Sequence, residues 1–155
     1  MALTGDGLVR YAARLLGNAS DAEDVVQESY VKAHRALSAG RFDGRSSLKT
    51  WLYRIVTRTA IDHRRSQKRG ERLAATDVLL ESGFDGGAQA ESHMALRELE
   101  QWLATLPEEQ RSALVLQSLE GFTNREIAGI LECSEGAVEQ RLVRARAALR
   151  DREGA

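Results

Sequence analysis

The sequence predicts an all-α chain: two small helical domains joined by a linker, the C-terminal one a helix-turn-helix. Three observations carry this. Apolar residues recur at helical spacing along most of the 155 residues, and no stretch sustains the two-residue alternation of a strand. A glycine-rich stretch containing Gly83, Gly86 and Gly87 interrupts that period. Near the C-terminus, two short helical patterns flank a three-residue turn, and each opens on a capping residue.

Taken in order, Leu8 to Leu16 forms a short amphipathic helix closed by Gly17. Ser20 and Glu23 have capping-box spacing and open the second helix. In that helix Val26, Tyr30, Ala33 and Leu37 recur as the inward stripe, and Gly40 is the stop. Residues 41–45 form a loop, and Ser46 or Ser47 caps the next helix. From Ser47 to Arg65, one face carries Leu48, Trp51, Leu52, Ile55, Val56 and Thr59. A second stripe carries Arg54, Arg58 and Arg65. The period weakens after Ser66, so the expected division is a domain over 1–66, a weakly ordered linker over 67–91 and a domain over 92–155. The linker holds a small apolar patch at Val78–Leu80 and Phe84.

Helices resume with Leu99, Trp102, Leu103 and Leu106 as the apolar stripe. Pro107 suits the first position of the following helix, and Glu108 and Glu109 suit its positive N-terminal end. That helix reaches Leu119 and stops at Gly121. Thr123 and Glu126 form a second capping box. A short helix, the turn at residues 132–134 and a last helix with Val138, Leu142, Ala145 and Leu149 inward complete the chain.

The net charge of −1 conceals blocks of opposite sign. Residues 41–72 hold ten Lys/Arg and three Asp/Glu, residues 73–140 three and thirteen, and residues 141–155 five and two. Two basic patches around an acidic middle suit a protein that touches nucleic acid twice and a protein partner elsewhere. Guanidinium forks on the Arg54–Arg58–Arg65 stripe match phosphate oxygens. The single cysteine, Cys133, excludes an internal disulfide and any cysteine-rich metal site, and it is read as packing. His34, His63 and His93 lack ligand spacing. There is no nucleophile–base set and no phosphate loop, so neither an enzyme nor a cofactor is expected. No apolar run is long enough to cross a membrane, there is no signal pattern, and the expected compartment is the cytoplasm.

Residues 123–148 have helix-turn-helix form, in which the second helix enters the major groove N-terminus first. Glu135, Gly136, Glu139, Gln140 and Arg141 would face base edges, with Arg144, Arg146 and Arg150 near phosphates. The turn favours glycine for a positive φ, yet Glu132 stands there. Glu135 and Glu139 place negative charge toward DNA, so weak intrinsic affinity is expected of this module alone.

Taken together, GNASDAEDVVQESYVKAHRAL, SSLKTWLYRIVTRTAIDHRR and LPEEQRSALVLQSLEGFTNREIAGILECSEGAVEQRLVRARAALR resemble a bacterial RNA polymerase sigma factor of the extracytoplasmic-function group. The resemblance covers nearly everything but the linker. It implies a subunit that binds core RNA polymerase and directs promoter-specific initiation, responds to a signal and is held by an anti-sigma factor. Asp21, Asp24, Gln27 and Glu28 match the helix that docks on the β′ clamp, and Asp24, Gln27, Glu28, Val31 and Arg35 share one face. The β flap is the second implied contact on polymerase. Phe42, Arg45, Ser47, Lys49, Trp51, Tyr53, Arg54, Arg58, Arg64 and Arg65 fall in the part that opens the minus-ten element and holds a single strand. Trp51 also continues the apolar face, so stacking on a base and packing in the core both remain open. Thr123, Ser134, Glu135, Gly136, Glu139, Gln140, Arg141, Arg144 and Arg146 fall in the module that reads the minus-thirty-five element.

Two other functions compete. A sigma mimic that titrates an anti-sigma factor would tend to lose its basic DNA faces, and here they are present. An ordinary helix-turn-helix regulator would need neither the acidic helix nor a second DNA-facing domain.

Overall fold

The computed structural model describes residues 5–74 and 90–153; the expected linker patch at Val78–Leu80 and Phe84 lies outside them. The described residues form seven α-helices and no strand. These are α1 (Gly5–Leu16), α2 (Ala19–Ser38), α3 (Leu48–Ala74), α4 (Ala90–Thr105), α5 (Glu108–Leu114), α6 (Asn124–Leu131) and α7 (Glu135–Glu153). A single wider π-helical stretch, Val115–Leu119, continues α5. Helices α1, α2 and α3 pack together, as do α5, α6 and α7. The two groups also meet, α3 lying against α6 and α1 against α4 and α5.

Helix α1 buries Leu8, Tyr11, Ala12 and Leu15, the i, i+3, i+4, i+7 pattern of one face. Gly17 at φ +76° ends it. Helix α2 starts earlier than the Ser20 capping box implies. The Asn18 side chain accepts from the Ser20 and Asp21 amides at 2.8 and 3.3 Å, which satisfies two orphan donors and makes Asn18 the cap.

The buried stripe of α2 differs from the expected one. It consists of Ala22, Val25, Val26, Ser29 and Ala33, while Tyr30 is 40% exposed and Leu37 49%. Ser29 is the reason. Its hydroxyl donates to the Val25 carbonyl at 2.7 Å, so a small polar residue is buried without an unmet bond. Small side chains along that stripe let α2 approach α1 and α3 closely, which turns Tyr30 outward.

Helix α3 opens on Ser47, whose Oγ accepts from the Thr50 amide at 3.0 Å. It spans 27 residues, about 40 Å at 1.5 Å per residue. The loss of apolar period after Ser66 does not end it, and residues 66–74 are helical. Leu48, read as part of the inward face, is 44% exposed. Leu52, Val56 and Thr59 are buried as expected, and so are Tyr53 and Thr57, because α3 is covered from both sides. Tyr11 and Thr57 share a hydrogen bond between their hydroxyls, and Thr57 also donates to the Tyr53 carbonyl. Burial raises the Tyr11 pKa, which keeps the phenol protonated.

At the start of α5, Pro107 is the cap and not the first helical residue. Arg111 is 2% exposed. Its guanidinium donates to the carbonyls of Leu103 (2.6 Å), Ala104 (3.0 Å) and Leu106 (2.7 Å) around the end of α4, and to Leu15 (2.8 Å) near the end of α1. Terminal carbonyls lack intrahelical donors and lie at the negative end of the helix dipole, so one cation satisfies both helices. The second capping box forms as read: Thr123 Oγ1 accepts from the Glu126 amide at 3.2 Å, and Glu126 accepts from the Thr123 amide at 3.0 Å. Val138, Leu142 and Ala145 of α7 are buried, with Leu149 against the same core.

Two outcomes are expected. Arg111→Met removes donors from four carbonyls, three of them in buried bonds, and should cost about 3 kcal/mol. At about 3 °C per kcal/mol for a chain of this size, the thermal midpoint should fall by about 9 °C, read by calorimetry. The bonds from Thr123, first its amide and then its side chain, hold the Glu126 carboxyl below its ordinary pKa. A depressed carboxylate stabilises the fold above its unfolded pKa, and that stability is lost as pH falls through the folded one. Protection of the first α6 amides from exchange should therefore drop on acidification in the natural chain, and stay flat in Glu126→Gln.

Candidate nucleic-acid interface

Three surfaces carry the residues singled out above. The first is the outer face of α2. Asp24, Gln27, Glu28, Val31 and Arg35 are all exposed there, opposite the small-residue stripe. Asp21 stands apart from them. It turns toward α3, accepting from Gln67 Nε2 at 2.7 Å and lying 3.7 Å from His63. The open face is therefore a mixed patch around Val31, whose side chain is half exposed.

The second surface is the loop before α3 and the start of that helix. Gly44 at φ +76° and the Asp43 carboxylate, which accepts from the Arg45 amide at 3.0 Å, shape the loop. Phe42 and Trp51 lie ring against ring, centroids 5.0 Å apart and tilted by 50°. Trp51 is half-buried, so it packs on the core and keeps an edge at the loop. Lys49 and Arg45 are exposed on the same segment of chain, a cation-and-aromatic combination suited to an unpaired strand.

Further along α3, the C-terminal helices meet the basic stripe, while Arg58 and Arg65 stay exposed. Arg54 Nε donates to the Gly129 carbonyl at 2.9 Å and lies 3.9 Å from Glu132. Arg58 pairs with Glu132 through Oε2. Arg64 donates to the Leu15 carbonyl at 2.8 Å, and the Nε atoms of Arg64 and Arg65 lie 3.7 and 3.9 Å from Glu108. Tyr53 is 4% exposed, so its ring is interior here and not at the surface. Its hydroxyl donates to Glu120 at 3.0 Å, its ring meets Phe122 edge-on, and burial with the Glu120 charge raises its pKa. Lys49 Nζ lies 5.1 Å from the centre of the Phe122 ring. Glu120, Gly129 and Phe122 were not foreseen. A carbonyl and an apolar ring carry no signal in a sequence, and Glu120 is one of thirteen acids in its block.

The third surface is the helix-turn-helix. Glu132 adopts φ 55°, ψ 49°, the left-handed conformation expected at the turn. Ser134 Oγ accepts from the Ala137 amide at 3.1 Å and caps α7. Thr123, Ser134, Glu135, Gly136, Glu139, Gln140 and Arg144 are exposed. Val143, at 56% exposed, sits among the last of them and offers an apolar contact such as a thymine methyl would take. Arg141 is held back. It donates to Cys133 Sγ at 3.3 Å and lies 3.8 Å from Glu109. Arg146 donates to Gln117. Cys133 is half-buried and packs on the core. Among the described residues, no group of His, Cys, Asp and Glu could hold a metal ion, and no helix is long and apolar enough to cross a membrane.

Comparison with known proteins gives this geometry a family. The model of sigma-70 region 2 matches residues 4–70, and that of sigma-70 region 4 matches residues 96–149. The chain is 37% identical to the RNA polymerase sigma-H factor of Pseudomonas aeruginosa, over 92% of this chain and 81% of that one. It is 38% identical to the ECF RNA polymerase sigma-E factor of Salmonella typhimurium, over 83% and 72%. Among solved structures, the sigma factor RpoE of Bartonella quintana, in complex with the anti-sigma factor NepR, superposes with a TM-score of 0.77. Identity there is 25%, over 95% of this chain and 89% of that one. CnrH, in complex with the cytosolic domain of CnrY, gives 0.66 at 28% identity, over 94% and 80%. The region 2 match takes in both the α2 face and the basic helix, and the region 4 match takes in the helix-turn-helix, so the chain belongs to the sigma-70 family, in its extracytoplasmic-function group.

Proposed function

We propose that this chain is a promoter-recognition subunit of RNA polymerase and not itself a catalyst. One observation carries this: a single chain presents both an exposed, mixed-charge α2 face and a helix-turn-helix whose α7 face is open. A repressor has no use for the first surface. The arginines of α3 and α7 argue against a mimic that only sequesters another protein.

In this account Asp24, Gln27, Glu28, Val31 and Arg35 dock on the β′ clamp, with Val31 as the apolar centre and the charges around it. The Phe42–Trp51 pair, with Arg45, Ser47 and Lys49, takes the opened minus-ten strand. Arg54 and Arg58, one turn apart, reach its phosphates. Glu135, Gly136, Glu139 and Gln140 face the minus-thirty-five major groove, with Arg144 on the backbone. The solved neighbour RpoE is in complex with an anti-sigma factor, which supports a partner of the same class here.

Run-off transcription with core polymerase on a promoter library tests the whole account; no promoter-dependent transcript would sink it. Asp24→Arg with Glu28→Arg should abolish retention of core polymerase at moderate salt while circular dichroism stays unchanged, because attraction becomes repulsion. In holoenzyme, Gln140→Ala should alter the preferred minus-thirty-five base by about 1–3 kcal/mol. Arg144→Ala should instead weaken all promoters alike and lower the salt slope by roughly 1.

A further inference from the structure

Apart from the three surfaces above, a cavity of about 230 Å³ lies where the end of α1 and the start of α2 meet α4. Its wall is basic. Arg14 of α1, Arg64 of α3, Arg97 of α4 and Arg111 of α5 line it, against one carboxylate, Glu100. The four arginines come from four helices, so no charge block in the sequence marks them. Glu100 forms no ion pair with any of them.

Two of these guanidiniums converge on one atom. Nη1 of Arg64 and Nη1 of Arg111 both donate to the Leu15 carbonyl at 2.8 Å, so the two nitrogens lie at most twice that distance apart. Like charges so close repel, and one carbonyl dipole offsets only part of the repulsion. Arg111 is 2% exposed, bonds only to carbonyls and pairs with no carboxylate among the described residues. Glu108 lies 3.7 Å from Nε of Arg64 but is not part of the cavity wall. A buried cation without a counter-charge is costly, and an anion in this cavity would supply one.

The wall also limits what that anion can be. A guanidinium has five N–H donors; Arg111 uses four here and Arg64 one, so both keep donors for a ligand. Guanidinium forks match phosphate oxygens. Drug-sized ligands occupy cavities of about 300–1,000 Å³, and this one is smaller. Among the described residues no aromatic ring lines it, so a base would find nothing to stack on. The N-terminus of α2 reaches the wall, but the Asn18 side chain already takes the Ser20 and Asp21 amides. The arginines, and not the helix end, carry the attraction.

We propose that this cavity binds a compact diphosphate anion of the size of inorganic pyrophosphate, held by Arg64, Arg97 and Arg111. Bound there, the anion joins α1 and α3 to α4 and α5. It therefore stabilises this arrangement of helices in step with its concentration. The chain gains a response to a small phosphate-bearing ligand at a place that neither DNA-facing surface occupies.

Isothermal titration of the full chain with inorganic pyrophosphate at low salt tests the site. One anion should bind per chain, and the thermal midpoint should rise with its concentration. Arg97 and Gln101 are both exposed residues of the wall, so changing either leaves the core intact. Arg97→Ala removes a donor, and Gln101→Glu keeps the side chain's shape while adding a second carboxylate. Each should weaken binding about tenfold. Arg125→Ala removes an exposed arginine of α6 that does not line the cavity, and should leave binding unchanged. ADP should bind no more tightly than pyrophosphate. Absence of saturable pyrophosphate binding overturns the site, as does an equal loss in Arg97→Ala and Arg125→Ala. Undiminished binding in Gln101→Glu overturns it too. ADP binding about tenfold more tightly than pyrophosphate overturns the assignment of a compact anion, since the cavity offers no ring for the base.

Discussion

The arrangement of the helices depends on one buried guanidinium. Helices α1 and α4 both end at the Arg111 guanidinium. Arg111 supplies the missing donors for both from a single position on α5. A lysine has the charge but not the fork, and could not serve four acceptors around one plane. Arg64 of α3 reaches the same Leu15 carbonyl, so a second cation reinforces the junction. What looks like an ordinary basic residue on a short helix therefore decides where α4 and α5 lie relative to α1. The helix-turn-helix is built onto that pair.

The charge blocks take on a different meaning once the chain is folded. A +7 block beside a −10 block was read as one surface for nucleic acid and another for protein. In the structure the two blocks also serve each other. Glu108, Glu120 and Glu132 each sit at a different point along the seam and each takes a cation or hydroxyl of the N-terminal helices. Carboxylate and phosphate are alternative acceptors for the same arginine forks. Tyr53 shows the balance. Its ring is packed on Phe122 and Tyr11 while its hydroxyl is spent on Glu120, an arrangement with both apolar and polar components.

Local chemistry made the helices legible. Helix periods, the Ser47 and Ser134 caps, the Thr123–Glu126 box and the glycine stops at Gly17, Gly40 and Gly121 all depend on neighbours a few residues away. A single sequence contains those neighbours. The same holds for the positive φ at Glu132 and for the α2 face, since residues at i, i+3 and i+4 share a side wherever the helix goes. The family also lay within reach, because its motifs are contiguous stretches.

Tertiary contact decided the rest. Whether Tyr30 or Ser29 faces inward depends on how closely α2 approaches its neighbours, and hydrophobicity alone favoured the wrong residue. The role of Arg111 depends on two helix ends that are distant in the chain, Leu15 and Leu103 lying 96 and 8 residues away. Whether an arginine of α3 meets solvent or a carboxylate depends on α6, which lies some 75 residues further on. Charge and shape of a side chain are properties of the sequence. Its partner is a property of the fold, because electrostatic and packing energies are set by distances in space, and these the sequence reveals only within one helical turn.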